Sequence, residues 1–67
     1  MADSIVRSIS REVMRAFIRG NFSVNVFGKT LKIEHVISKH WRVTDNSGND
    51  IGLRFDVESG KCRFFLA

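Results

Sequence analysis

Between Arg19 and Phe22 the apolar residues change their spacing, from every third or fourth position to every second, and Gly20-Asn21 marks the change. Upstream, Ile5, Ile9, Val13, Ala16 and Phe17 recur at helical spacing with Val6 on the same side. Downstream, Phe22, Val24 and Val26, then Leu31 and Ile33, alternate with polar residues as strands do. A chain with this break buries its apolar surface by laying a helix stripe on the inner face of a sheet. The expected fold is therefore α+β, an N-terminal amphipathic helix packed on an antiparallel meander of about five short strands, as a small sheet or partly open barrel.

Sixty-seven residues form one domain, 1–67, because so short a chain buries only about 60% of the surface it exposes when unfolded. With 43% hydrophobic and 27% charged residues it has a globular rather than a disordered composition. One cysteine, Cys62, excludes an internal disulfide, so self-association is the remaining way to reinforce a small core. The N-terminus lacks the apolar core of a signal peptide and no stretch has the ~20 apolar residues needed to cross a bilayer, so a cytoplasmic protein without a membrane role is expected.

The helix is expected over about 4–19, with Asp3 and Ser4 as N-caps and Gly20-Asn21 as C-cap, docking through Ile5, Ile9, Val13 and Phe17. Strands are expected over about 22–27, 30–37, 40–45, 50–57 and 62–66. A turn at Gly28-Lys29 sets Val26 against Leu31, Val24 against Ile33 and Phe22 against His35. The run Asp45-Asn46-Ser47-Gly48-Asn49 suits a type I turn closed by a left-handed glycine, opposing Val43 to Ile51 and Trp41 to Leu53. A turn at Ser59-Gly60 opposes Val57 to Cys62, Phe55 to Phe64 and Leu53 to Leu66. On its other face the same register sets Asp56 beside Arg63 as an ion pair, Arg54 beside Phe65 as a cation–π pair, and Glu58 beside Lys61. The pairing of Val36–His40 has no sequence signal. This element order is similar to that of Sm-like small barrels, a resemblance of architecture without a shared sequence motif, and it implies no function.

The formal charge of +4 favours contact with nucleic acid or an acidic protein surface. Its most ordered expression is Arg7, Arg11, Arg15 and Arg19, four guanidinium forks along about 18 Å of helix that suit phosphates or carboxylates. The plainer reading is a solvated helix face, with Arg15 pairing locally to Glu12. Met14 and Ile18 widen the apolar surface towards the ladder and are candidates for a protein interface. Arg42, Arg54, Arg63 and Phe65 make a secondary basic and aromatic surface on the sheet.

His35, His40 and Cys62 are the nitrogen and sulfur candidates for a metal, but they match no ligand spacing, and Cys62 fits as an inward strand residue. The chain carries no glycine-rich phosphate loop, nucleophile elbow or pair of close carboxylates. The expectation is a non-enzymatic binding module without cofactor, metal or small-molecule substrate. It would bind nucleic acid or the nucleic-acid machinery through the arginine-striped helix. The alternatives are a protein–protein inhibitor or adaptor on an acidic partner, and a homo-oligomeric structural protein.

Overall fold

A computed structural model describes residues 2–66, apart from the side chains of residues 2 and 3. Helix α1 spans Ala2–Ile18, a segment free of glycine and proline that keeps its apolar residues to one side. It ends where Gly20 takes φ 80: the Gly20 N–H donates to the Phe17 carbonyl at 3.0 Å and the Asn21 N–H to the Ala16 carbonyl at 2.9 Å. These paired bonds form a Schellman motif and satisfy the last carbonyls of the helix. The helix begins earlier than expected, so Asp3 and Ser4, expected as N-caps, lie within its first turn.

Five strands follow and pair antiparallel in chain order: β1 (Ser23–Val26), β2 (Lys29–Ile37), β3 (His40–Asp45), β4 (Asp50–Glu58) and β5 (Lys61–Leu66). They curl into a half-barrel that packs on α1. Val13 and Ala16 of the helix meet Val26, Leu31, Ile33, Val43, Leu53 and Phe55 in one core, with Ile9, Phe17 and Trp41 packed around it. Ile5 does not dock and is 52% exposed. The inward direction of α1 centres on Val13, and Ile5 lies about 80° round the helix from it, on the flank.

The β4–β5 hairpin has the expected register throughout, turning at Ser59-Gly60 with both residues at positive φ. The first hairpin is displaced by two residues: Val24 opposes Leu31 and Val26 opposes Lys29. Phe27 (φ 54) and Gly28 (φ 76), not Gly28-Lys29, make the turn. Two positive φ values match the twist of the flanking strands, and this register also lets the Thr30 hydroxyl donate to Asn25 Oδ1 at 2.8 Å. A displacement of two leaves every side chain on its expected face.

Two irregularities produce the curl. Val36 is an extra residue between the pairs His35–Trp41 and Ile37–His40, and the chain then turns at Ser38-Lys39, which places the segment left open by the sequence. In β4, three residues (Ile51, Gly52 and Leu53) stand between the pairs Thr44–Asp50 and Arg42–Arg54, where β3 has Val43 alone. Trp41 consequently opposes Phe55 instead of Leu53. Gly52 takes φ 84, which a residue with a Cβ adopts at a cost, and its N–H donates to Asp50 Oδ1 at 2.8 Å.

Thr44, next to the bulge, is buried to 1% exposure, and its hydroxyl has no hydrogen-bond partner among the described residues. A buried unpaired polar group is costly, so Thr44→Val is expected to stabilise the fold by about 1 kcal/mol, read as a rise in melting temperature. An unchanged or lower value would mean that the hydroxyl is satisfied.

Asp45 organises the turn before β4. Its Oδ1 accepts the Ser47 N–H at 2.8 Å and the Asn49 N–H at 2.9 Å, and the Gly48 N–H donates to its carbonyl at 3.0 Å. The N–H groups donating to the carboxylate, that of Asn49 foremost, hold it below its ordinary value of 3.8. A depressed folded value means that this stabilisation is present above the unfolded pKa and is lost as pH falls through the folded one. An NMR titration should place the Asp45 midpoint below 3.8, and Asn49→Ala should raise it only in part because the Asn49 N–H remains.

Candidate functional site

All four ladder arginines are exposed, but they do not face one groove. Each step of four residues advances about 40° round the helix, so the ladder runs obliquely across it. Arg7 and Arg11 stand on the flank towards β5, where they line a groove with Val6, Ser10, Met14 and Phe64. Arg15 and Arg19 stand on the flank towards β1, beside Asn21, Ser23 and Asn25. Arg15 pairs loosely with Glu12 at 3.5 Å, and Arg11 and Arg19 have no carboxylate within ion-pair distance among the described side chains.

The two flanks differ in character. On the β1 side the helix lies close to the strand and the crevice is polar. On the β5 side the half-barrel stays open, leaving a groove of about 470 Å³ whose walls are mainly apolar. Val6, Met14 and the half-buried Phe64 form its floor and Arg7 and Arg11 its rim. Met14 thus belongs to this surface, whereas Ile18 lies at the crest of the helix, 71% exposed, and lines none of these grooves.

On the outer face of the sheet the arginines of β3 and β4 are paired. Arg42 Nη2 lies 3.1 Å from Glu34 Oε1, and Arg54 is drawn to Asp50 at 2.7 Å and not to the expected Phe65 ring. Asp56 bonds His40 Nδ1 at 2.6 Å in place of its strand neighbour Arg63, and Glu58 reaches Lys39 at 3.6 Å in place of Lys61. Arg63 and Lys61 on β5 therefore remain without an ion-pair partner among the described residues. Phe65 is exposed next to Arg63.

Phe17, Trp41, Phe55 and Phe64 pack in sequence at centroid distances of 4.8 to 6.1 Å, and Phe22 lies parallel to Trp41 at 5.8 Å. His35, expected inside, is exposed: its Nε2–H donates to the Ser38 carbonyl at 2.6 Å and its ring tilts onto Trp41. Among the described residues no three of His, Cys, Asp and Glu gather at a spacing suited to a metal. Burial pushes the Cys62 thiol above its ordinary pKa, so the inert form predominates at neutral pH.

Val6, Ser10 and Phe64 are groove residues that the sequence pattern assigned elsewhere or left aside. Phe64 alternates inward correctly, but nothing in a period of two reveals that the helix leans away from β5 and leaves that ring uncovered. No helix of the described residues is long and apolar enough to cross a membrane. Fold and surface together define a small α+β half-barrel with an arginine-edged groove. No protein-family model, curated protein or solved structure matches this chain.

Proposed function

We propose that this chain is a non-enzymatic binding module that takes an acidic segment of another protein into the groove between α1 and β5. The observation that carries this reading is the combination of an apolar floor (Val6, Met14, Phe64) with a basic rim (Arg7, Arg11) in a single groove. Apolar area supplies affinity and the guanidinium forks supply orientation and on-rate towards carboxylates. Arg42 and Arg54 of the sheet are already paired with Glu34 and Asp50, which is consistent with a site on this flank.

A second reading is nucleic-acid binding along the whole oblique arginine band, favoured by Arg15 and Arg19, which continue the band away from the groove to a polar crevice. Titration separates the two. Peptides alternating leucine with glutamate, and single-stranded and duplex DNA and RNA oligomers, would be added to isotope-labelled protein at rising salt. The protein reading expects NMR shifts at Val6, Met14 and Phe64 with the peptide alone. Shifts spread over Arg7, Arg11, Arg15 and Arg19 with the oligomers, leaving the floor unmoved, would replace it with the second reading. A dimer by sedimentation whose interface covers the groove would replace both with self-association.

A further inference from the structure

We infer that the occupant of this groove is an extended strand, alternating apolar and acidic residues, that adds to the free edge of β5; the inference rests on the protein-partner reading. β5 is paired along one edge only, to β4, and among the described residues no turn or loop backbone hydrogen bond reaches Lys61–Leu66 from the other side. A row of unpaired N–H and C=O groups is a template for another strand, and proteins usually blunt it with proline, a bulge, a covering element or edge charges; of these β5 has only the charges Lys61 and Arg63, which oppose a basic strand and admit an acidic one. β5 has no proline, its register with β4 runs without a shift, and α1 stands away from it across the groove. The opposite edge differs: β1 is four residues long and lies against α1.

Strand geometry then dictates what the added segment looks like. Neighbouring strands lie about 4.8 Å apart, and alternate side chains point to opposite faces. Beside Phe64, inward side chains of the new strand would enter the groove above Val6 and Met14, so these positions are apolar. Outward side chains would stand beside Lys61 and Arg63, neither of which has an ion-pair partner among the described residues, so these positions are acidic. Arg7 and Arg11 close the helix side of the groove and meet carboxylates at its rim. A helical occupant would leave the β5 edge unpaired. A second copy of this chain would bring another Lys61 and Arg63 against the first, together with a second arginine rim, and like charges across strands oppose pairing.

The test leaves the protein unchanged and alters the probe. A blocked peptide alternating valine with glutamate is titrated into the full chain, and amide hydrogen exchange is followed by NMR. Strand addition expects exchange to slow about tenfold or more at alternate amides of β5 and nowhere on β1. N-methylating every second peptide amide should abolish binding for one of the two alternating sets and spare it for the other, because only one set faces β5. If the peptide binds with NMR shifts at Val6, Met14 and Phe64, with β5 exchange unchanged and both methylated sets equal, strand addition is overturned while the acidic-partner reading stands. If peptides of any pattern leave Val6, Met14 and Phe64 unmoved at low salt, both fall. If β5 amides are already protected in a concentration-dependent way without peptide, another copy covers the edge, and the inference is overturned.

Discussion

Replacing Phe55 by alanine is expected to unfold most of the protein at ambient temperature. Phe55 is fully buried and is the ring on which the rest converge: Phe17 of the helix lies 5.4 Å away, Trp41 6.1 Å and Phe64 4.8 Å. Truncating such a phenylalanine costs about 3–5 kcal/mol, the lost transfer energy plus the cavity left behind. A single core in a chain below about 70 residues rarely supplies more than about 3–5 kcal/mol, so a chain of this size has little more than that to lose. Phe65→Ala is the control, since that side chain is exposed on the outer face and should shift stability by no more than about 0.5 kcal/mol. A cooperative melt of Phe55→Ala within a few degrees of the parent would show that this core is wrongly drawn. Phe17 is only partly buried, so its truncation should cost less than that of Phe55.

The contrast between Phe55 and Phe17 illustrates what sequence pattern resolves. Alternation assigns a face to each residue, and Val24, Val26, Leu31, Ile33, Val43, Leu53 and Phe55 of the expected inward set are buried or half-buried, whereas Phe22, His35, Ile51 and Leu66, expected on the same face, are exposed. Register is a finer quantity. A slip of two residues preserves every face, so hydrophobicity alone does not discriminate Val24–Leu31 from Val24–Ile33; the turn does. Here the turn places Phe27, a bulky residue, at φ 54, a conformation that residue preferences argue against. Gly52 carried a readable signal, a glycine inside a strand two positions after an aspartate, which marks a bulge stapled by the carboxylate.

The candidate site was legible in its charges and not in its shape. Four arginines at intervals of four declare a band on the helix, and their drift of about 40° per step follows from helix geometry. Which part of that band matters depends on how α1 sits over the sheet. That is a tertiary property, and it opens the flank of Arg7 and Arg11 over apolar side chains while closing that of Arg15 and Arg19 onto β1. The ion pairs depart from strand neighbours for a related reason. Strand pairing puts Asp56 beside Arg63, yet the short turn at Ser38-Lys39 brings His40 and Lys39 to the acids of β4, and they take Asp56 and Glu58 first.

The oblique course of the band makes its two halves separable by charge reversal. Arg7→Glu with Arg11→Glu replaces the rim of the apolar groove by like charges facing an acidic segment, a juxtaposition that costs several kcal/mol, so affinity for the leucine–glutamate peptide should fall about 100-fold or more. Arg15→Glu with Arg19→Glu alters the far flank and should change that affinity only a few-fold through the long-range field, an effect that disappears at higher salt. Both pairs are exposed, and the ion pair broken among the described side chains, Arg15–Glu12, is a surface contact, so melting transitions should stay close to the parent. A nucleic-acid backbone lying along the full band predicts a different pattern. Both double variants would then weaken oligomer binding comparably, and each arginine lost would flatten the log–log salt dependence by about one unit from a slope near −0.9 per neutralised phosphate on duplex DNA. Equal losses from the two halves would therefore remove the groove as the organising feature of the surface. Loss confined to Arg7 and Arg11, with the floor residues Val6, Met14 and Phe64 shifting on titration, is the result that only a groove occupied by apolar and acidic side chains together can give.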